Sequence, residues 1–180
     1  MAGIMQQSTV MNRDPAADFA TLLERNRRLV FKVASLYARG ADLEDLAQEI
    51  AAQLWRAFPD YDPTRRFSTW MYRIALNVAI SWLRSEAPRR RRSVPYDAVL
   101  HEPAFDASAN EADDERRQIL HGFIESQDPL NRALLLLYLE EHSYAEISEI
   151  LGLTETNLTT KINRLKERLR VYAEKQHGTR

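Results

Sequence analysis

Residues 143–166, with the sequence SYAEISEILGLTETNLTTKINRLK, constrain the fold more than any other stretch of the chain. Ser143 and Glu146 have the spacing of a capping box, which predicts the start of a helix. Gly152 is the residue type that most readily takes the left-handed conformation that ends a helix. Thr154 can then cap a second helix. The segment therefore predicts a helix-turn-helix, although ordinary helical hairpins share part of this pattern.

The second helix of this segment has two chemically different faces. An apolar stripe at helical spacing predicts its buried side: Leu158, Ile162, Leu165 and Leu169. The other side chains can donate hydrogen bonds or carry positive charge: Thr159, Thr160, Lys161, Asn163, Arg164 and Lys166. A helix that reads the major groove of DNA needs this chemistry, so we identify these six as candidate DNA-binding residues.

Composition excludes several other protein classes. The chain has 180 residues, of which 44% are hydrophobic and 28% charged, as in globular proteins of one or two domains. Because there is no cysteine, disulfides and thiolate metal sites are excluded, which suits a reducing compartment. No apolar run approaches the roughly 20 residues of a membrane span. The N-terminal residues also lack the apolar core of a signal peptide. We therefore expect a cytoplasmic protein without membrane insertion.

The net charge of −1 conceals a strong asymmetry along the chain. Residues 1–92 carry +5, residues 93–118 carry −5 and residues 119–180 carry −1. Since local potential rather than total charge attracts nucleic acid, the near-neutral total does not argue against a DNA-binding function.

Helical periodicity dominates the sequence and predicts an all-α fold of two small helical domains joined by a flexible linker. The expected organisation is a disordered tail over 1–14, a first domain over 15–92, a linker over 93–117 and a helix-turn-helix domain over 118–175.

Individual helices can also be predicted. One apolar face continues from Pro15 to Gly40, and a second helix is expected over 42–57. Prolines and aspartates predict a loop over 59–66, after which Ser68 is placed to cap a helix that ends near Ser85. Helicity resumes near Asn110, and Asp128-Pro129 is a typical helix start.

The helix expected over 42–57 carries an acidic surface. Asp45, Gln48 and Glu49 share the helix face that lies opposite the leucines. This face is either simply solvated or a docking surface for a basic partner helix.

The sequence FSTWMYRIALN at residues 67–77 combines aromatic and basic side chains. Arg73, Asn77, Ser81 and Arg84 recur at helical spacing and form a polar stripe, next to the loop over 60–66. Aromatic side chains in a helix usually pack in a core, but rings interleaved with arginines also suit single-stranded nucleic acid. Both interpretations remain open from the residues alone.

Three motifs in this order resemble the extracytoplasmic-function (ECF) sigma factors of bacterial RNA polymerase. They are DLAQE at residues 45–49, FSTWMYRIALN at 67–77 and the C-terminal helix-turn-helix. The resemblance covers roughly residues 16–92 and 118–173.

This resemblance implies core RNA polymerase and promoter DNA as partners, with contacts to the β′ clamp helices and the β flap. It implies that Asp45, Gln48 and Glu49 bind the β′ clamp helices. The −10 element would be melted and held by a larger set of residues: Asp60, Tyr61, Arg65, Arg66, Phe67, Tyr72, Arg73, Asn77, Ser81 and Arg84. Thr159, Thr160, Asn163 and Arg164 would read the −35 element, with Lys161 and Lys166 on phosphates. A cognate anti-sigma factor is a further possible partner.

The chain departs from many members of this family at the recognition helix. Thr159 and Thr160 stand where relatives often carry a basic residue followed by serine, so base preference cannot be carried over. Residues 89–92 are four consecutive arginines, which are either a solvated charge cluster or an additional phosphate contact.

Enzymatic activity is not expected. The four histidines, at positions 101, 121, 142 and 177, are scattered without a metal-ligand spacing, and no glycine-rich phosphate loop is present. We therefore expect no cofactor, no metal and no catalytic residue. Two alternative functions are a helix-turn-helix regulator that acts without binding core polymerase, and an interaction adaptor on a similar scaffold that does not bind DNA. The motifs at 45–49 and 67–77 argue against the first, and the basic faces argue against the second.

Overall fold

The computed structural model describes residues 15–90 and 111–178, and both ranges are helical. The helices are α1 (Pro15–Arg25), α2 (Arg27–Tyr37), α3 (Ala41–Ala57), α4 (Phe67–Arg90), α5 (Glu111–Glu125), α6 (Pro129–Leu139), α7 (Tyr144–Leu151) and α8 (Glu155–Gly178). One turn of 3-10 helix, Phe58–Asp60, follows α3. No strand occurs within the two described ranges, which confirms the all-α prediction.

Helices α2, α3 and α4 pack on one another to form the N-terminal part of the fold. Its fully buried side chains include Val33, Leu46, Ile50, Leu54 and Met71. Helices α5 to α8 form the C-terminal part, in which α8 packs on α5 and α7. Burial of such side chains supplies the main stabilising free energy of each part.

The two parts also contact each other, because α4 packs against α6 and α7. Buried side chains from both parts belong to a single apolar cluster. The predicted flexible connection therefore joins two parts that lie side by side. The predicted tail over 1–14 and residues 93–110 of the predicted linker lie outside the described residues.

The helix-turn-helix is capped as the sequence predicts. Ser143 and Glu146 form a complete capping box, and Gly152 takes the left-handed conformation at φ 66°. The hydroxyl of Thr154 accepts a hydrogen bond from the backbone N–H of Asn157 at 3.3 Å. Asp128 caps α6 in the same way, by accepting from the N–H of Asn131 at 3.0 Å.

Two predictions for the helices of the N-terminal part differ from the structure. The helix expected from Pro15 to Gly40 is interrupted at Asn26, whose side-chain amide donates to the carbonyl of Leu22 at 2.8 Å and so competes with the backbone. Helix α4 begins at Phe67, so Ser68 lies inside the helix and does not cap it. The first helical hydrogen bond there is accepted by the Arg66 carbonyl, from the N–H of Trp70 at 3.2 Å.

The remaining differences concern the connection between the two parts. Helix α4 continues through Pro88 to Arg90, beyond the predicted end near Ser85. Helix α5 begins at Glu111, which agrees with the helicity predicted from near Asn110 and places residues 111–117 of the expected linker in a helix.

Candidate nucleic-acid and protein interfaces

The acidic surface on α3 is exposed, as the sequence predicts. Asp45, Gln48 and Glu49 all face solvent, while Leu46 and Ile50 on the opposite side of the helix are fully buried. Glu49 accepts a hydrogen bond from Gln53 at 2.8 Å, which orients its carboxylate along the helix. This geometry leaves the three polar side chains available to a basic partner.

The loop before α4 is organised by an aromatic cluster. The ring of Tyr61 lies 5.2 Å from Phe67 and 5.1 Å from Trp70, measured between centroids. The hydroxyl of Tyr61 donates to the carbonyl of Arg65 at 2.8 Å. Asp62 closes the turn by accepting from Thr64, and these hydrogen bonds, with the nearby Arg65, hold its pKa below the usual range. The cluster therefore fixes the loop that carries Arg65 and the exposed Arg66.

The polar stripe on α4 is exposed along its length. Arg73, Asn77, Ser81 and Arg84 all face solvent, while Met71, Ala75 and Ala79 on the same helix are fully buried. Asp60, at the start of the preceding loop, is also exposed. The stripe is thus a continuous polar surface next to the aromatic loop.

Tyr72 is predicted to bind the −10 strand, but in the structure it is buried, which corrects that prediction. Its side chain is 5% exposed and its hydroxyl donates to Glu140 on the segment after α6. Burial, followed by the interaction with Glu140, raises the pKa of Tyr72 far above its usual value. The sequence alone could not reveal this, because Glu140 lies 68 positions away. In this conformation the ring is not available for base stacking.

The recognition helix α8 buries its apolar stripe and exposes its polar face. Leu158, Ile162 and Leu165 are at most 2% exposed, and Leu169 is half-buried. The polar residues Thr159, Thr160, Asn163, Arg164 and Lys166 are exposed, whereas Lys161 is half-buried. The division into two faces is therefore as predicted.

The two threonines differ from the prediction in one chemical respect. The hydroxyl of Thr159 donates to the carbonyl of Glu155 at 3.0 Å, and that of Thr160 donates to Thr156 at 3.1 Å. Because each proton is used inside the helix, each side chain offers a methyl group and an acceptor oxygen instead of a donor. Such groups suit a thymine methyl or an exocyclic amine of adenine or cytosine.

Lys166 contacts an aromatic ring on the neighbouring helix. Its Nζ lies 4.8 Å from the centroid of Tyr138 on α6. A hydrogen bond with Tyr138 raises the pKa of this exposed lysine, so it carries its full positive charge at neutral pH.

No group of three or more acidic or histidine side chains that could hold a metal is present in residues 15–90 and 111–178. No helix of the described chain is long and apolar enough to cross a membrane.

Comparison with known proteins decides the family. Residues 22–89 match the family model for Sigma-70 region 2, and residues 118–169 match the model for Sigma-70, region 4. The ECF RNA polymerase sigma factor SigK of Mycobacterium sp. (strain JLS) is 30% identical over 165 residues, covering 89% of this chain and 83% of the relative. The chain belongs to the ECF sigma factor family.

Similarity to other ECF sigma factors also supports this family membership. The ECF RNA polymerase sigma-E factor of Escherichia coli (strain K12) is 30% identical over 159 residues, covering 83% of each chain. The ECF RNA polymerase sigma factor SigW of Bacillus subtilis (strain 168) is 28% identical over 138 residues, covering 72% of this chain and 74% of the relative.

Two solved structures have the same fold at 20% identity. CnrH, in complex with the cytosolic domain of CnrY, has a TM-score of 0.61 and covers 88% of this chain and 89% of its own. The sigma factor RpoE, in complex with the anti-sigma factor NepR from Bartonella quintana, has a TM-score of 0.69. The match covers 87% of this chain and 97% of the RpoE chain. The two Sigma-70 regions and the ECF sigma factor relatives identify the protein as a sigma factor that directs RNA polymerase to promoters, and a regulator acting without polymerase is not favoured.

Proposed function

We propose that the three exposed polar surfaces divide the work of promoter recognition. Asp45, Gln48 and Glu49 on α3 dock on the β′ clamp helices of core polymerase. The first domain, proposed over residues 15–92, is connected by a linker to a promoter-reading domain proposed over 118–175. The observation that carries this proposal is that both sigma regions are present in order. Each region also has a polar face that is exposed and not buried in the core of that region.

Contact with the −10 strand is assigned to the loop before α4 and to the polar stripe along α4. Arginine side chains hold phosphates, and Asn77 and Ser81 offer hydrogen bonds to bases. The proposed strand-contacting residues are Asp60, Tyr61, Arg65, Arg66, Phe67, Arg73, Asn77, Ser81 and Arg84. Asp60 differs from the others because its negative charge favours contact with a base amine over a phosphate.

The −35 duplex is assigned to the exposed face of α8. Thr159, Thr160, Asn163 and Arg164 are placed to reach base edges, and Lys161 and Lys166 are placed for phosphate contact. The C-terminal domain is also assigned the contact with the β flap.

Further assignments concern regulation and location. An anti-sigma factor is a candidate partner, since the similar RpoE is bound to the anti-sigma factor NepR and CnrH is bound to the cytosolic domain of CnrY. We assign the protein to the cytoplasm and assign the phosphodiester chemistry to polymerase, with no catalytic residue and no cofactor in this chain. The arginines at 89–92 are assigned no role, since their side chains lie outside the described residues.

In vitro transcription with purified core polymerase on a genomic promoter library tests this function. We expect transcripts that start downstream of a shared two-part motif and that require the added protein. Permanganate footprinting with Asn77→Ala then tests the strand assignment, since loss of that amide is expected to reduce −10 melting. Normal melting by this variant would remove Asn77 from the strand-binding set.

A further inference from the structure

Both arginines of the loop before α4 are already paired with carboxylates of the helix-turn-helix. Arg65 Nη1 lies 2.8 Å from Glu149 Oε1, and Arg66 Nη1 lies 2.7 Å from Glu146 Oε1. The two glutamates lie on α7, the first helix of the helix-turn-helix, and are about 80 positions away along the chain. Together with Thr69, these four side chains line one cleft between the two parts of the molecule.

A second set of contacts also joins the two parts of the molecule. The hydroxyl of Tyr72 donates to one carboxylate oxygen of Glu140, and Lys32 on α2 donates to the other. The ring of His142 packs edge-on against Tyr72, with 5.2 Å between centroids and an interplanar angle of 85°. The side chain of Glu140 is 20% exposed, so this pairing is partly shielded from solvent.

A third set of contacts joins the same two parts of the molecule. The hydroxyl of Tyr37 donates to the carbonyl of Pro129 at 2.8 Å, and Arg132 donates to the carbonyl of Leu36 at 3.3 Å. Arg39, in the turn after α2, forms an ion pair with Glu125 at the end of α5. In all three sets of contacts, groups within residues 15–90 meet groups within residues 111–178.

We propose that the acidic face of α7, formed by Glu146 and Glu149, is an intramolecular partner of the loop before α4. This loop, residues 60–66, is called the strand-binding loop below. In the free protein, Glu146 and Glu149 occupy the positions at Arg65 and Arg66 that the phosphates of the −10 strand take in the promoter complex. The identity of the displaced strand rests on the proposed function, whereas the closed arrangement rests on the contacts above.

The chemistry of the two partners explains why they exclude each other. A carboxylate and a phosphate offer an arginine the same kind of acceptor oxygens, so one guanidinium edge cannot serve both. The ion pairs that close the cleft involve exposed groups, because the side chains of Arg65 and Arg66 are 58% and 79% exposed. Salt screens such pairs, and a strand with several phosphates can displace them.

The closed arrangement can be tested in the free protein by distance measurements between spin labels. The chain has no cysteine, so labels attach only where cysteine is introduced, at the exposed positions in Arg56→Cys and Arg168→Cys. We expect one narrow distance distribution in this parent. Glu146→Gln with Glu149→Gln should give a longer and broader distribution, and glutamine preserves the capping box at position 146.

Two further variants separate closure from general charge effects. Glu155→Gln with Glu174→Gln removes the same charge from α8, away from the cleft, and should keep the narrow distribution. Arg65→Glu should broaden it, and adding Glu149→Arg should restore it by reversing the pair. A distribution that stays narrow and unshifted in the Glu146 and Glu149 double variant overturns the proposal.

Masking of the loop is tested with a fluorescein-labelled oligothymidylate and the same variants without spin labels. Each phosphate contact on a single strand contributes about 0.7 to the slope of log K against log salt. Releasing two arginines should therefore make this slope steeper by about 1.4. The α8 control variant should show the parent's slope. An opened variant with the parent's slope would overturn the masking of the loop. Neither readout uses polymerase, so both are independent of whether transcription occurs.

Discussion

Glu146 has two roles that meet in one carboxylate. It completes the capping box by accepting from the N–H of Ser143 at 3.0 Å, and it pairs with Arg66 at 2.7 Å. The backbone hydrogen bond from Ser143, followed by that from Arg66, lowers the pKa of Glu146 to about 2. A residue that reads in sequence only as a helix cap is therefore also an interdomain contact.

The lowered pKa makes a prediction about acid stability. Because the folded-state pKa lies below the unfolded value of about 4.3, the ionised carboxylate contributes stability above that value. This contribution is lost as pH falls through the folded-state value of about 2. Glu146→Gln should therefore flatten the fall in melting temperature between about pH 4.5 and pH 2, followed by circular dichroism. Glu155→Gln is the matched control and should retain the steeper fall.

At the level of elements, local signals predicted the helices well. Capping residues such as Ser143 and Asp128 act within one helical turn, so the sequence around them is sufficient to place a helix start. The apolar stripe of α8 was predicted for the same reason. The interruption at Asn26 was not predicted, since the apolar face continues past Asn26 and does not show that its amide bonds to the Leu22 carbonyl.

The site was predictable only in part. Exposure of Asp45, Asn77 and Arg164 follows from helical periodicity, which the sequence displays directly. Burial of Tyr72 depends on Glu140, and the pairing of Arg66 depends on Glu146. No local pattern encodes which distant helix will pack on α4, so these contacts become visible only in three dimensions.

The docking face of α3 gives a prediction for one element. Asp45→Arg with Glu49→Arg reverses two exposed charges and should abolish co-purification with core polymerase, because a basic partner helix would then be repelled. The buried side of α3 is unchanged, so circular dichroism should still show a folded protein. Glu24→Arg, on the exposed face of α1, is the control. Undiminished co-purification would remove this face from the docking surface.

The exposed face of α8 gives a second prediction. Arg164→Ala should weaken binding to −35 duplex DNA, measured by fluorescence anisotropy across a salt series. If Arg164 contacts a phosphate, the salt slope should fall by about 0.9 with sequence preference unchanged. If it contacts a base, discrimination at one position should relax by about 1–3 kcal/mol. Binding identical to the parent at every salt concentration would exclude both roles.

At the scale of the whole molecule, positive charge on the first part faces negative charge on the second. The basic loop of the first part meets the acidic face of α7 in the second, which is consistent with the +5 and −1 of the corresponding sequence ranges. A net charge of −1 therefore does not describe any surface that a partner meets. Opening the molecule exposes a basic strand-binding loop, whereas closing it neutralises that loop.

Closure should lower the apparent affinity for core polymerase if docking requires the two parts to separate. The apparent dissociation constant then equals the intrinsic constant divided by the fraction of open molecules. Two exposed ion pairs contribute about 0.2–1 kcal/mol each, so removing both should tighten binding by between about twofold and about thirtyfold. Titration of labelled Glu146→Gln, Glu149→Gln protein with core polymerase measures this change.

The salt dependence of the same titration identifies its cause. The advantage of the double variant over the parent should shrink as salt rises, because screening already opens the parent. The Glu155→Gln, Glu174→Gln control should bind as the parent does at each salt concentration. Equal affinities of parent and double variant at low salt would mean that core polymerase binds the closed molecule. Opening would then have to follow docking, and the promoter strand itself would be what displaces α7 from Arg65 and Arg66.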